Sequence, residues 1–323
     1  MPPTTTRHLG TLALACGVLV SCPEPESGVG QGPTGGDGGL MASSGTEASG
    51  ADVDSGFDDT SGAEVPPPPA RSYFIAESMD FEGNGCEQTN VNEVTQSLQD
   101  DLDDDGWVGA RVVDGQTRPA DFVDPEVKAF GQDDIKGDAA SLAVYAGHGW
   151  MDTLAWGTRD ATPGVPFDDR CLVEFSGDIR LGAMAGGWAK AVVLLTSCTG
   201  RLACYQSTLA TSDVTQVFAF DNSPMIWGNA AHRFYRKSAD MPSRDAWIAA
   251  MDNRPGFGKN SPVTYTRGTS HDQVLELHRT AKLTEIEQIP GQQGTSWYAY
   301  TWVDHGLMGD CSPLMDTCVG VDE

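Results

Sequence analysis

Apolar positions fall into separate regimes along the chain. Leu9–Val20 is an almost unbroken apolar run, whereas residues 23–70 carry few apolar side chains and no periodicity. From residue 71 onward, short apolar blocks alternate with amphipathic ones. "SYFIAESMDF" (72–81), "WVGARVV" (107–113) and "VTQVFAF" (214–220) predict strands. "SLAVYAG" (141–147) and "AVVLLTS" (191–197) are continuous apolar runs, the pattern of strands buried on both faces of a parallel sheet. Val91, Val94, Leu98 and Leu102 recur at spacings of three and four and predict a helix, with Asn90 and Glu93 as its capping box. "DIRLGAMAGGWAK" (178–190) predicts a helix between the two apolar runs, and Ser243 opens another through "RDAWIAAM". Strands alternating with helices predict an α/β fold whose mostly parallel sheet is flanked by helices.

The same pattern divides the chain. Residues 1–22 read as an export signal: Arg7 and His8 give a positive start, and the apolar run is too short to span a bilayer. "LVSC" closes it, and Cys22 after Leu19-Val20-Ser21 resembles the lipobox of bacterial lipoproteins. That resemblance implies cleavage before Cys22, a lipid on Cys22, and residence in the cell envelope on a membrane anchor. Residues 23–70 are rich in Gly, Ser, Pro and acidic side chains, contain no Lys or Arg, and end in "VPPPPA". Such a segment cannot bury enough apolar surface to offset its ordering entropy, so it reads as a disordered tether of about 35–40 Å root-mean-square span. Residues 71–323 are long enough for one sizeable domain.

Charge narrows the partners. The formal net charge is −26, from 46 acidic and 20 basic residues. Phosphate neutralisation needs Lys and Arg, so nucleic acid is not an expected partner.

The candidate chemistry lies where apolar runs end. "SLAVYAGHGW" runs into Gly147-His148-Gly149, and "AVVLLTSCTG" into Ser197-Cys198-Thr199-Gly200. In open α/β sheets, ligands bind beyond the carboxyl ends of the strands. A thiol attacks as its thiolate, and a neighbouring imidazole can take its proton. An apolar block ending in His-Gly, followed about fifty residues later by one ending in Cys, resembles the caspase-like cysteine peptidases. The resemblance covers roughly residues 72–225. It implies His148 as general base, Cys198 as nucleophile, and Gly149 with the Cys198 amide as the oxyanion hole. The chain has Thr196-Ser197-Cys198 where caspases have Gln-Ala-Cys. The expectation is an exported, lipid-anchored cysteine endopeptidase that needs no cofactor and acts on a polypeptide. The alternative is a catalytically inactive caspase-like surface module that binds or scaffolds a protein partner. An α/β hydrolase is disfavoured because no Gly-x-Ser-x-Gly elbow is present.

Other residues carry rival readings. Cys86, Cys171, Cys198, Cys204, Cys311 and Cys318 follow the signal; Cys311 with Cys318 is a disulfide candidate, and Cys198 with Cys204 a rival pair that would abolish nucleophilicity. His305-Gly306 lies after Cys198, in the reverse order. His232, His271 and His278 read as surface or capping residues. Asp101, Asp103 and Asp105 before Gly106 have calcium-loop spacing, but the twelfth position is Val112, so no EF-hand is expected. Calcium enters as a candidate because carboxylates crowd the negative end of a helix.

Overall fold

The computed structural model describes residues 70–81, 90–150, 153–157, 171–182, 186–200, 212–252, 260–292, 297–303 and 305. The chain divides into Met1–Pro66 and Pro67–Glu323, and every described residue belongs to the second unit. The signal, Cys22, most of the tether and the Cys311–Cys318 candidate lie outside the described residues.

The centre of the fold is a mixed sheet with strand order β10-β9-β8-β7-β3-β1-β2. Its strands are β1 (Ser72–Glu77), β2 (Val108–Val113), β3 (Leu142–Ala146), β7 (Ala191–Leu195), β8 (Gln216–Phe220), β9 (Pro262–Gly268) and β10 (Trp297–Trp302). From β2 to β8 all neighbours are parallel; β9 is antiparallel to both β8 and β10. The fold is therefore α/β with a mostly parallel sheet.

Pleating explains the continuous apolar runs. Leu142, Val144 and Ala146 of β3 enter one core, whereas Ala143 and Tyr145 enter the other. The first core is closed by helices: α1 (Gln96–Asp104), α3 (Ala230–Lys237) and α4 (Ser243–Met251). Val94, Leu98 and Leu102 pack there, as their spacing predicts, and Trp247 sits among Phe218, Phe220 and Phe234. α5 (His271–Thr280) covers β9 and β10: His278 bridges Thr266 and Thr301 at 2.8 Å each. His278 is thus buried, not the surface residue expected from its polar neighbours. On the second face lie short 3-10 turns, a small antiparallel sheet of β4 (His148–Trp150), β5 (Thr153–Ala155) and β6 (Leu172–Glu174), and the single-turn α2 (Phe175–Asp178).

Two boundaries depart from the sequence pattern. α1 begins at Gln96 because buried Glu77 accepts the Val94 N–H and the Thr95 hydroxyl; Asn90 instead accepts the Phe81 N–H at 2.8 Å. The helix expected over 178–190 is absent from the described residues 179–182 and 186–190. Gly182 and Gly186 take φ of 109° and 81°, left-handed values that a right-handed helix cannot accommodate. Among the described residues, no helix is long and apolar enough to cross a membrane.

Candidate functional site

Neighbouring strands β3 and β7 pair Ala146 with Leu195, so His148 and Cys198 do leave the sheet at the same edge. A cleft of about 250 Å³ opens there. Its polar lining comes from Glu77, His148, Thr196, Ser197 and Ser223, with Asn90 and Asn92 at one side. Val91, Val94, Pro224, Met225 and Ile226 supply apolar walls.

Each polar group has a local cause. Glu77 ends β1 at 1% exposure, and its charge is met by Arg111 at 2.6 Å, which also reaches Glu93 at 2.6 Å. The His148 ring packs edge-on against Phe81 with centroids 4.7 Å apart, and its carbonyl oxygen accepts the Tyr145 hydroxyl at 3.1 Å. Ser197 and Ser223 hydroxyls share a hydrogen bond of 3.0 Å across the cleft. The Thr196 hydroxyl is buried and has no hydrogen-bond partner among the described residues.

The surroundings of Cys198 and Gly149 bear on their expected catalytic roles. Cys198 is disulfide-bonded, as is Cys171 beside β6, and Cys198 is fully buried. A sulfur in a disulfide has no thiolate to attack with. Cys198 is also not among the residues lining the cleft, although the preceding Leu195–Ser197 are. Its backbone turns through a left-handed φ of 59°. The Cys198 amide donates to the Asn222 carbonyl at 3.1 Å, so it does not point at a developing oxyanion. Gly149 has a packing reason to be glycine. A Cβ there would lie 2.6 Å from both the Thr153 carbonyl oxygen and Thr196 Oγ1. Cys86 and Cys204 lie outside the described residues, so the rival pairing with Cys204 does too.

The three calcium-spaced aspartates do not converge. Asp101 binds Arg236 and His232, Asp103 accepts the Tyr73 hydroxyl at 2.7 Å, and Asp105 accepts the Tyr235 hydroxyl at 2.8 Å. The carboxylates at the negative end of α1 are thus met by protein cations and hydroxyls. No group of three or more His, Cys, Asp or Glu is placed to hold a metal among the described residues. His305 follows β10 to the same edge of the sheet: its imidazole pairs with Asp252 at 2.5 Å, and its backbone N–H donates to the Ser261 hydroxyl at 3.0 Å.

Sequence reasoning missed Thr196, the Ser197–Ser223 pair and the Glu77–Arg111 pair. The available signal was Glu77 itself, a carboxylate closing an otherwise apolar strand run.

No protein-family model, curated protein or solved structure matches the chain.

Proposed function

We propose that this chain is an exported, lipid-anchored surface protein whose caspase-like α/β domain binds a protein partner without cleaving it. The observation that carries this reading is Cys198: its sulfur is in a disulfide, it is fully buried, and its amide is committed to Asn222. The strand-end cleft persists beside it, with His148, paired hydroxyls and apolar walls. A cleft of this kind at the carboxyl edge of a parallel sheet is where α/β domains hold ligands. Disulfides fit an oxidising, exported setting, in line with the signal and the Cys22 lipobox. The −26 charge suits a solvated surface on a tether and does not suit a nucleic-acid partner.

The test uses the full chain with its disulfides intact and a denatured protein as substrate. The expected result is no cleavage, identical for wild type and His148→Ala. Cleavage by wild type that disappears in His148→Ala overturns the reading in favour of the peptidase. Cleavage that appears only after a dithiol reductant is added, and needs His148, makes the domain a latent peptidase instead. In cells, Cys22→Ala should move the protein out of the membrane fraction; retention there places the anchor elsewhere.

A further inference from the structure

We infer that the aromatic edge strand β10 is a self-association surface, pairing antiparallel with β10 of a second copy of this chain. The inference is independent of the cleft and of what the cleft binds. The first reason is the backbone. β10 ends the strand order, and among the described residues no strand pairs with its outer side. Hydrogen bonding along β9 alternates between its two neighbours: Arg267 donates to the Thr215 carbonyl on the β8 side, and Pro262 accepts the Val303 N–H on the β10 side. In the register of β10 on β9, Ala299 and Thr301 therefore turn their backbone groups inward, and Tyr300 and Trp302 turn theirs outward. An outward row of N–H and C=O groups is a template for another strand, and edges are usually blunted by Lys, Pro, glycine or charge. The opposite edge, β2, contains Gly109 and Arg111. β10 reads Trp-Tyr-Ala-Tyr-Thr-Trp and carries no such device.

The second reason is the side chains. Tyr300 and Trp302 are 47% and 38% exposed, although both are large and apolar. Two residues apart, they share one face of the strand, with ring centroids 5.4 Å apart. Tyr300 also lies 6.3 Å from the ring of buried Tyr265, and on the other face His278 holds Thr301 at 2.8 Å. The strand is thus fixed on its inner side and bare on its outer one. Antiparallel pairing of two copies sets these rings beside those of the partner strand, the cross-strand aromatic contact that stabilises sheets.

The third reason is charge, which selects a second copy as the occupant. At a net charge of −26, two copies repel each other over most of their surfaces. Residues 288–303 contain no Asp, Glu, Lys or Arg. A two-fold contact sets a patch against itself, so an uncharged segment meets its own copy without repulsion. A partner recognised by charge would find nothing here to read. Six strand residues and two exposed rings per copy make a small contact beside the roughly 800 Å² per partner of a standard interface, so the dimer is a weak one.

The experiment is analytical ultracentrifugation of the full chain from ~10 μM to ~1 mM, the range of weak association. Wild type should pass from monomer to dimer, and the dissociation constant should fall as salt is raised, because screening relieves repulsion between acidic copies. Tyr300→Lys puts like charges across the two-fold, and Tyr300→Pro removes an outward donor while leaving the bonds to β9 in place; each should weaken the dimer by roughly tenfold or more. Val108→Lys, at an exposed position on the opposite edge strand, should leave it unchanged. Circular dichroism identical to wild type checks that Tyr300→Lys is folded. A wild type that stays monomeric throughout overturns the inference and leaves the edge to a different chain. A dimer untouched by both Tyr300 variants, lost equally in Val108→Lys, or weakened by added salt overturns it as well.

Discussion

The amide of Cys198 donates to the carbonyl of Asn222 across the turns that follow β7 and β8, at 3.1 Å. Asn222 is itself fully buried, and its side-chain oxygen accepts the Ser261 N–H at 2.8 Å. The two residues therefore stitch the ends of β7, β8 and β9 into one fixed corner. Asn222→Ala should strand the buried Ser261 N–H and destabilise the domain by about 1–3 kcal/mol. Urea unfolding of wild type and variant checks this; a cost near zero would mean that the corner is held by other contacts.

Gly149 distinguishes a packing role from a catalytic one. A Cβ at 149 would lie 2.6 Å from a backbone oxygen, that of Thr153, so relief requires the β4–β5 hairpin to move. Gly149→Ala should cost roughly 1–3 kcal/mol, the scale of overpacking in a closed site. A glycine needed only to expose an oxyanion donor would tolerate alanine with stability unchanged.

Asp133 and Asp138 give the domain an alkaline weakness. Burial is the largest cause in both, pushing Asp133 up to about 7 and Asp138 up to about 8; Asp124 and Asp134 add to the first, and Asp133 and Asp213 to the second. These folded-state values lie above the ordinary carboxylate value of 3.8, so the protonated acid is the form that the fold favours. Their contribution is complete below the unfolded value and is lost as pH rises through about 7 to 8. Asp138 Oδ1 accepts the Gly182 and Ala189 N–H groups, bonds that an amide oxygen can keep. Asp138→Asn should therefore flatten the fall in melting temperature between pH 6 and 9, relative to wild type. An unchanged slope would contradict the assignment.

His278 works in the opposite direction. Burial, then Arg244 and Arg279, lower it from 6.5 to about 3, so the folded domain holds it neutral between Thr266 and Thr301. With the folded value below the unfolded one, its contribution is complete above about 6.5 and declines as pH falls toward 3. His278→Gln should lower stability at neutral pH by roughly 1–3 kcal/mol and reduce the loss between pH 6.5 and 4. Equal acid sensitivity in both proteins would place the effect on other groups.

How much of this was legible in the sequence depends on the range of the forces involved. The strands 142–146 and 191–195 announce themselves because burial on both faces demands apolar residues at every position. The adjacency of their carboxyl ends follows from parallel topology, and so the location of the cleft was legible too. The start of α1 was not, because Glu77, remote in sequence, outcompetes Asn90 and Glu93 for the role of cap. Nor was the state of Cys198: pattern places a cysteine at a strand end, but whether its sulfur is bonded depends on which other cysteine the fold brings near. Thr196 was invisible for the same reason, since only packing shows that its hydroxyl lacks a partner. The aspartates of 101–105 matched a calcium spacing, yet Arg236 from α3 supplies the positive charge from outside the local segment.

The arrangement around α1 predicts no response to calcium. Arg236 meets Asp101 and, at 3.9 Å, Asp105, while Asp103 and Asp105 accept the Tyr73 and Tyr235 hydroxyls. Adding calcium to chelator-treated protein should leave the melting temperature in place, while Arg236→Ala should lower it. A calcium-dependent rise in wild type would show that the carboxylates regroup around the ion.

The most direct measurement is the oxidation state of Cys198 in the native protein. Native chain, purified without reductant, is exposed to iodoacetamide across pH 6 to 9 and mapped by peptide mass spectrometry. The disulfide predicts that Cys198 stays unlabelled at every pH and is recovered in a cross-linked peptide. Rapid labelling of Cys198 below pH 8, slowed by His148→Ala, would show an activated thiolate and contradict the account of this domain as a binder that does not cut.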